Sequence, residues 1–317
     1  MLFKFTFLSL FCLTLSGCAG MKWYQNDQGE YDFFLEDKTG EKIEPTEEEK
    51  AKVKGGKEAR LKAKAALQQG DTDTALVYFV KALEFDEEDE EALNGIADIH
   101  FVRGNNELAI LAYRMILADN PENLDAKQGL GLALIKANKY EDARLILLSS
   151  LKDNPQRTKI YNGLGVISDL QRYYEEARWF YANGLMIDEN SAILMTNLGY
   201  SYYLENKWEN AEKIYKRVLT SHPKHIQAHL NLALLQARKG ELYDSLSSFE
   251  QVLSKPQSYN ELGYIMMLDK KYTMAEQLFQ KAISASPSYF DKAHKNLEQL
   301  KELQIKRKSK VTSISLQ

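Results

Sequence analysis

"NLGYSYYLENKWENAEKIYKRVL", from Asn197 to Leu219, sets small residues at Gly199 and Ala211 and large aromatic ones at Trp208 and Tyr215. A lone helix demands no such spacing, yet much the same pattern returns upstream and downstream. With Ala211 as the reference, steps of 34 residues backwards reach Ala177, Ala143, Ala109 and Ala75. One step forwards reaches Ser245, and a further 30 residues reach Ala275. Twelve residues before the references stand Ala63, Ala97, Gly131, Gly165, Gly199, Ala233 and Gly263, every one small. Four residues after them stand Phe79, Tyr113, Leu147, Tyr181, Tyr215, Phe249 and Phe279, every one large. Twelve after come Pro121, Pro155, Pro223 and Pro287, with Glu87, Glu189 and Gln257 as departures.

A period of 34 residues with these side chains marks a helix–turn–helix unit, and the chain resembles the tetratricopeptide-repeat (TPR) family. The small residue is needed where the two helices of a unit cross, since a larger one would overpack by about 1–3 kcal/mol. The large residue fills the space that the crossing leaves. Proline opens the next unit, where its missing N–H costs little. The reading is all-α, with seven units at 56–89, 90–123, 124–157, 158–191, 192–225, 226–255 and 256–289. An amphipathic capping helix follows at 290–305, then a basic tail at 306–317. The sixth unit lacks four residues, so its second helix must end early, near Leu253. The resemblance implies a right-handed superhelical solenoid whose first helices line a concave face, serving as a binding platform.

Composition is compatible with this. The chain has 317 residues, 44% hydrophobic and 27% charged, enough to build a core. A net charge of −4, with no basic stripe on a predicted structured face, excludes a globally basic nucleic-acid binder. Both cysteines, Cys12 and Cys18, precede the repeats, which therefore contain neither a disulfide nor a cysteine-based metal site.

The N-terminus reads as an address. Lys4 precedes an uncharged apolar run from Phe5 to Leu15, about half the length that crosses a bilayer as a helix. Residues 1–17 are therefore expected to be a signal peptide. Leu15-Ser16-Gly17-Cys18 resembles the lipobox of bacterial lipoproteins, which implies a covalent lipid on Cys18; no other cofactor is expected. Ala19 is not aspartate, and the resemblance then implies the outer membrane, with the protein facing the periplasm. Residues 18–55 lack helical periodicity and are expected to form a flexible tether. Aromatic residues around the turn-forming clusters at 26–29 and 37–40 leave a small hairpin as the alternative.

No Gly-x-Ser-x-Gly, His-Glu-x-x-His or Walker loop occurs, so no catalytic residue is assigned and a non-enzymatic role is expected. The glycines of Gly163–Ser168 read as packing residues within a repeat helix. His222, His225 and His229 lie close together, but no carboxylate accompanies them and no metal site is assigned.

In peptide-binding TPR proteins, asparagines on the inner face hold a ligand's backbone, because an amide offers both a donor and an acceptor. Asn197 and Asn231 take equivalent places in adjacent units, and Asn162 and Asn260 sit one place earlier. Tyr200, Tyr203, Leu234 and Tyr264 are expected in the same concavity, across units four to seven. The alternative is that these asparagines cap or link neighbouring helices.

The segment Tyr161–Leu204 resembles the TPR lipoprotein of tight-adherence (Flp/Tad) pilus loci. That resemblance implies an assembly scaffold, with pilotin-like support of the secretin, and as partners the secretin or other pilus components, the membrane through its lipid, and no nucleic acid. The alternative is an adaptor that docks periplasmic proteases or peptidoglycan hydrolases. The basic tail, with Lys306, Arg307, Lys308 and Lys310, is expected to fray into solvent.

Overall fold

The computed structural model describes the backbone of residues 20–25, 31–36, 42–43 and 46–315, and the side chains of 46–305 apart from Glu49. Among the described residues, a small antiparallel sheet precedes fifteen helices. The chain divides into two bodies, one through Ala126 and one from Lys127.

In the first body, β1 (Gly20–Gln25) pairs with β2 (Tyr31–Glu36), setting Trp23 opposite Phe33 and Gln25 opposite Tyr31. β3 (Lys42–Ile43) adds to β2, with Ile43 opposite Leu35. These strands fall within 18–55, where a flexible tether is the expectation and a small hairpin the alternative. Aromatic-rich runs favour pleated backbone, and the intervening Asn, Asp and Gly residues favour reversal.

The first helix, α1 (Glu47–Gln68), also starts well before residue 56. Glutamates in its first turn suit the positive end of the helix dipole. Gly55 does not break it: a Cβ there would lie 2.7 Å from the Phe85 ring, so the missing side chain makes room for Phe85. Then come α2 (Thr72–Leu83), α3 (Glu90–Val102) and α4 (Asn106–Asp119). Asp89 caps α3 by accepting from the Ala92 N–H at 3.0 Å, and its other oxygen takes Arg60. Ala59, Ala63, Ala75, Phe79 and Ile99 form the core of this body.

α5 (Leu124–Lys136) leads into the second body. There follow α6 (Tyr140–Asp153), α7 (Thr158–Leu170), α8 (Tyr174–Ile187), α9 (Ala192–Leu204) and α10 (Trp208–Ser221). Next are α11 (Ile226–Lys239), α12 (Leu242–Glu250), α13 (Lys255–Leu268), α14 (Tyr272–Ala285) and α15 (Asp291–Ser315). The small and large positions meet as the spacing requires. Leu147 lies against Gly131, and Tyr181 against Gly165. A Cβ on Gly199 would stand 2.6 Å from the Tyr215 ring, and one on Gly263 would stand 2.8 Å from that of Phe279.

Ser245 replaces alanine at the reference position and is wholly buried, but its hydroxyl donates to the Ala233 carbonyl at 2.8 Å. The substitution therefore strands no polar group. α12 spans 9 residues against 14 in α10 and α14. It ends at Glu250, about one turn before Leu253, and α13 opens on a Ser254–Gln257 capping box with Pro256 in its first turn. α15 continues through the basic tail that was expected to fray. Neither Gly nor Pro occurs from Asp291 to Ser315 to stop it.

Each turn between the two helices of a repeat needs one left-handed residue. Gly70, Gly104 and Gly240 supply it without strain, whereas Asn138, Arg172, Asn206 and Lys270 hold φ between 59° and 66°. For lysine this costs about 1 kcal/mol. Lys270→Gly is accordingly expected to raise the melting temperature by about 2–4 °C, read by circular dichroism. A lowered value would show that the Lys270 side chain holds the turn.

Candidate functional site

Four of the residues singled out by sequence converge. Asn197 and Tyr200 on α9, and Asn231 and Leu234 on α11, line one concavity of about 670 Å³ with Asp169 and Leu170 of α7. The spacing of three residues puts each pair on one helix face. Tyr200 is 37% exposed, and its ring stacks on Tyr203 with centroids 5.6 Å apart. The wall is mixed: amides and aromatic rings, with Val166, Leu204 and Leu234 for apolar contact.

The other four predicted residues do not line it. Asn162 accepts from Asn197 Nδ2 at 2.7 Å and so ties α7 to α9. Asn260 is wholly buried and accepts from Asn296 at 2.9 Å, joining the seventh repeat to the capping helix. Tyr203 packs beside Trp208 over the Tyr215 cluster, and Tyr264 lies on α13, outside the concavity. The concavity itself runs along α7, α9 and α11, with Tyr174 and Tyr181 of α8, and so lies within repeats four to six. Lining and linking both occur: Asn162 and Asn260 link, Asn231 lines, and Asn197 does both.

The sequence reading missed Asp169. It lies eight residues before Ala177, where the other repeats carry Leu67, Phe101, Ile135, Tyr203, Ala237 and Met267. A lone carboxylate in an otherwise apolar register is the signal that could have found it. Asp169 is 8% exposed; Tyr181 donates its hydroxyl to Oδ2 at 2.9 Å, and Oδ1 has no hydrogen-bond partner. Burial pushes its carboxyl above the usual range, against the Ser201 and Tyr181 hydroxyls and the Arg178 charge, which favour ionisation.

The folded state holds the Asp169 proton more tightly than the unfolded chain, so this group costs stability as pH rises from about 4 through its raised pKa. Asp169→Asn should remove that loss. The gain in melting temperature of the variant over the parent should grow with pH over this window and vanish at lower pH. An unchanging gap would mean that Asp169 titrates normally.

A second concavity, of about 770 Å³, includes Glu141, Arg144, Gln171, Glu176 and Glu205. Its groups satisfy one another: Arg144 pairs with Glu176, Gln171 donates to Glu141 at 2.7 Å, and Arg178 holds Glu205. Arg172 borders both concavities and is exposed, and among the described residues it makes no ion pair.

The histidines have local tasks. His225 Nδ1 caps α11 by accepting from the Ala228 N–H at 3.2 Å, and His229 Nε2–H donates to the Pro223 carbonyl at 2.8 Å. Among the described residues no cluster of His, Cys, Asp and Glu is arranged to hold a metal, and no helix is long and apolar enough to cross a membrane. Cys18 lies outside the described residues.

Tetratricopeptide-repeat family models match residues 60–123 and 196–259, 103–165, and 256–289, together more than half of the chain. No curated protein matches it. Among solved structures, a tetratricopeptide repeat protein from Parabacteroides merdae is 16% identical with a TM-score of 0.61, over 78% of this chain and 99% of its own. The pilF protein of Pseudomonas aeruginosa is 20% identical, with a TM-score of 0.52 over 73% of this chain and 98% of its own. The human IFIT1 dimer with m7Gppp-AAAA is 18% identical, with a TM-score of 0.56 over 75% of this chain and 61% of its own. At such identities the likeness is one of fold.

Proposed function

Because the chain belongs to the tetratricopeptide-repeat family, whose members are generally non-catalytic scaffolds, we propose that it is a docking platform holding an extended segment of a protein partner in the groove of α7, α9 and α11. The observation that carries this reading is the convergence of Asn197, Tyr200, Asn231 and Leu234 on one concavity. Side-chain amides match the donor and acceptor of a peptide unit, while the tyrosines and leucines take up apolar side chains.

The finer reading places this platform on the outer membrane, facing the periplasm and held by lipid on Cys18. It serves Flp/Tad pilus assembly, with the secretin or another assembly component as partner. The Leu15–Cys18 lipobox pattern and the Tyr161–Leu204 segment support it. Two acyl chains or more give stable anchoring where one gives marginal binding.

Asn197→Ala combined with Asn231→Ala should weaken partner capture about ten- to hundredfold, as expected for two lost polar contacts, and leave helicity unchanged. Unchanged capture would remove the groove from the account. Deleting the gene should abolish surface pili and destabilise secretin multimers. Normal piliation with altered peptidoglycan turnover would point instead to an adaptor for cell-wall hydrolases. Cys18→Ala should abolish incorporation of labelled palmitate, and retained labelling would refute the anchor.

A further inference from the structure

Asp169 gives the groove a chemical preference, an inference that rests on the groove being a peptide site. We infer that the bound segment presents one basic side chain, lysine or arginine, to the Asp169 carboxylate.

The groups around Asp169 leave one bond open. From α8, the Tyr181 hydroxyl takes Oδ2 at 2.9 Å. Arg178, also on α8, is committed to Glu205 and lies over the Tyr202 ring, 4.9 Å from its centroid. From α9, the Ser201 hydroxyl is near enough to favour the ionised carboxyl, but its hydrogen bond goes to the Tyr174 carbonyl at 3.4 Å and none reaches Oδ1. Oδ1 has no partner, although the side chain is over nine-tenths buried and borders the groove. Such a group costs free energy unless something entering the groove completes it. A neutral donor would satisfy the hydrogen bond alone, whereas a cation also offsets the buried charge. Tyr174 and Tyr200 line the same groove and can flank the apolar stem of a lysine or the plane of a guanidinium. Oδ1 is shut off from solvent as it stands, so the inference requires the carboxylate to turn about its soft Cβ–Cγ torsion when a cation enters.

Arg172 sets the limit on charge. It borders the groove as an exposed cation without an ion pair among the described residues, and it opposes every basic residue there, so only one that the Asp169 carboxylate compensates is favoured. The site thus suits a single basic residue in an otherwise neutral or acidic segment, not a polybasic run.

The purified full-length protein is titrated with an array of short, otherwise neutral peptides carrying one lysine, the same lysine acetylated, or a glutamate. Lysine peptides are expected to bind about tenfold more tightly than their acetylated forms. Their affinity should rise with pH as Asp169 ionises, with proton release on binding. Asp169→Asn keeps the side-chain shape, and its melting temperature reports folding directly. That variant should bind lysine and acetyl-lysine peptides alike. Equal binding of both by the parent, or a lysine preference that survives in Asp169→Asn, overturns the inference. If peptides bind, and do so more weakly after Asn197→Ala with Asn231→Ala, but show no lysine preference, only the role of Asp169 falls. If no peptide of any kind binds, the groove reading falls and this inference with it.

Discussion

Tyr181→Ala is expected to destabilise the second body by about 3–5 kcal/mol, the usual cost of deleting a large buried ring. The side chain is 1% exposed, its ring covers Gly165, and its hydroxyl is the donor to Asp169. Truncation leaves a cavity between α7 and α8 and strips Asp169 of its one hydrogen bond. Tyr181→Phe separates the two effects. It keeps the ring and loses the donor, which should cost about 1–3 kcal/mol. Combining Tyr181→Phe with Asp169→Asn should recover part of that loss, since the residues touch and their effects will not add. Urea unfolding followed by circular dichroism gives the magnitudes. Repeat arrays can open locally, so hydrogen exchange at α7 and α8 must accompany it. A loss below about 1 kcal/mol for Tyr181→Ala would mean that the ring is not the keystone of this hairpin.

Gly199→Val should cost up to about 3 kcal/mol, while Gly199→Ala should be close to neutral. Two effects compete. A Cβ at Gly199 would stand 2.6 Å from the Tyr215 ring, which must then shift. Replacing a mid-helix glycine with alanine returns about 1 kcal/mol of helix propensity. For one methyl group these nearly cancel, and Ala63, Ala97 and Ala233 occupy the same place in other repeats. For valine the extra carbons meet Tyr215 with no room to retreat, because that ring is wholly buried. Thermal unfolding of the two variants decides the matter; similar melting temperatures for both would show a loose crossing.

The small–large pairs were readable because a helix crossing has one geometric answer, repeated at a fixed period. Gly199 and Tyr215 announce each other sixteen residues apart. The left-handed turns were equally periodic but less visible, because Arg172 and Lys270 do not look like turn residues. Asn197, Tyr200, Asn231 and Leu234 could be placed on one wall since helix periodicity carries them there. The role of Asn260 was not legible, because its partner, Asn296, lies beyond the last repeat on a helix whose docking no period specifies. Asp169 stayed hidden for a different reason: its meaning comes from departing from the register, and attention to what recurs passes over what does not. The strands Gly20–Gln25, Tyr31–Glu36 and Lys42–Ile43 are hard to read from sequence because short aromatic strands carry too little pattern to outweigh a linker.

If the groove of α7, α9 and α11 holds the partner, a probe within it must touch that partner. Site-specific photocrosslinking in living cells tests it most directly, with the probe placed either at Leu234 in the groove or at Trp179, which is 57% exposed on α8 and lies outside it. Crosslinks are expected from Leu234 to one extended segment of a protein, lost when Asn197→Ala and Asn231→Ala are combined, with little from Trp179. Crosslinks from Trp179 with none from Leu234 would contradict it.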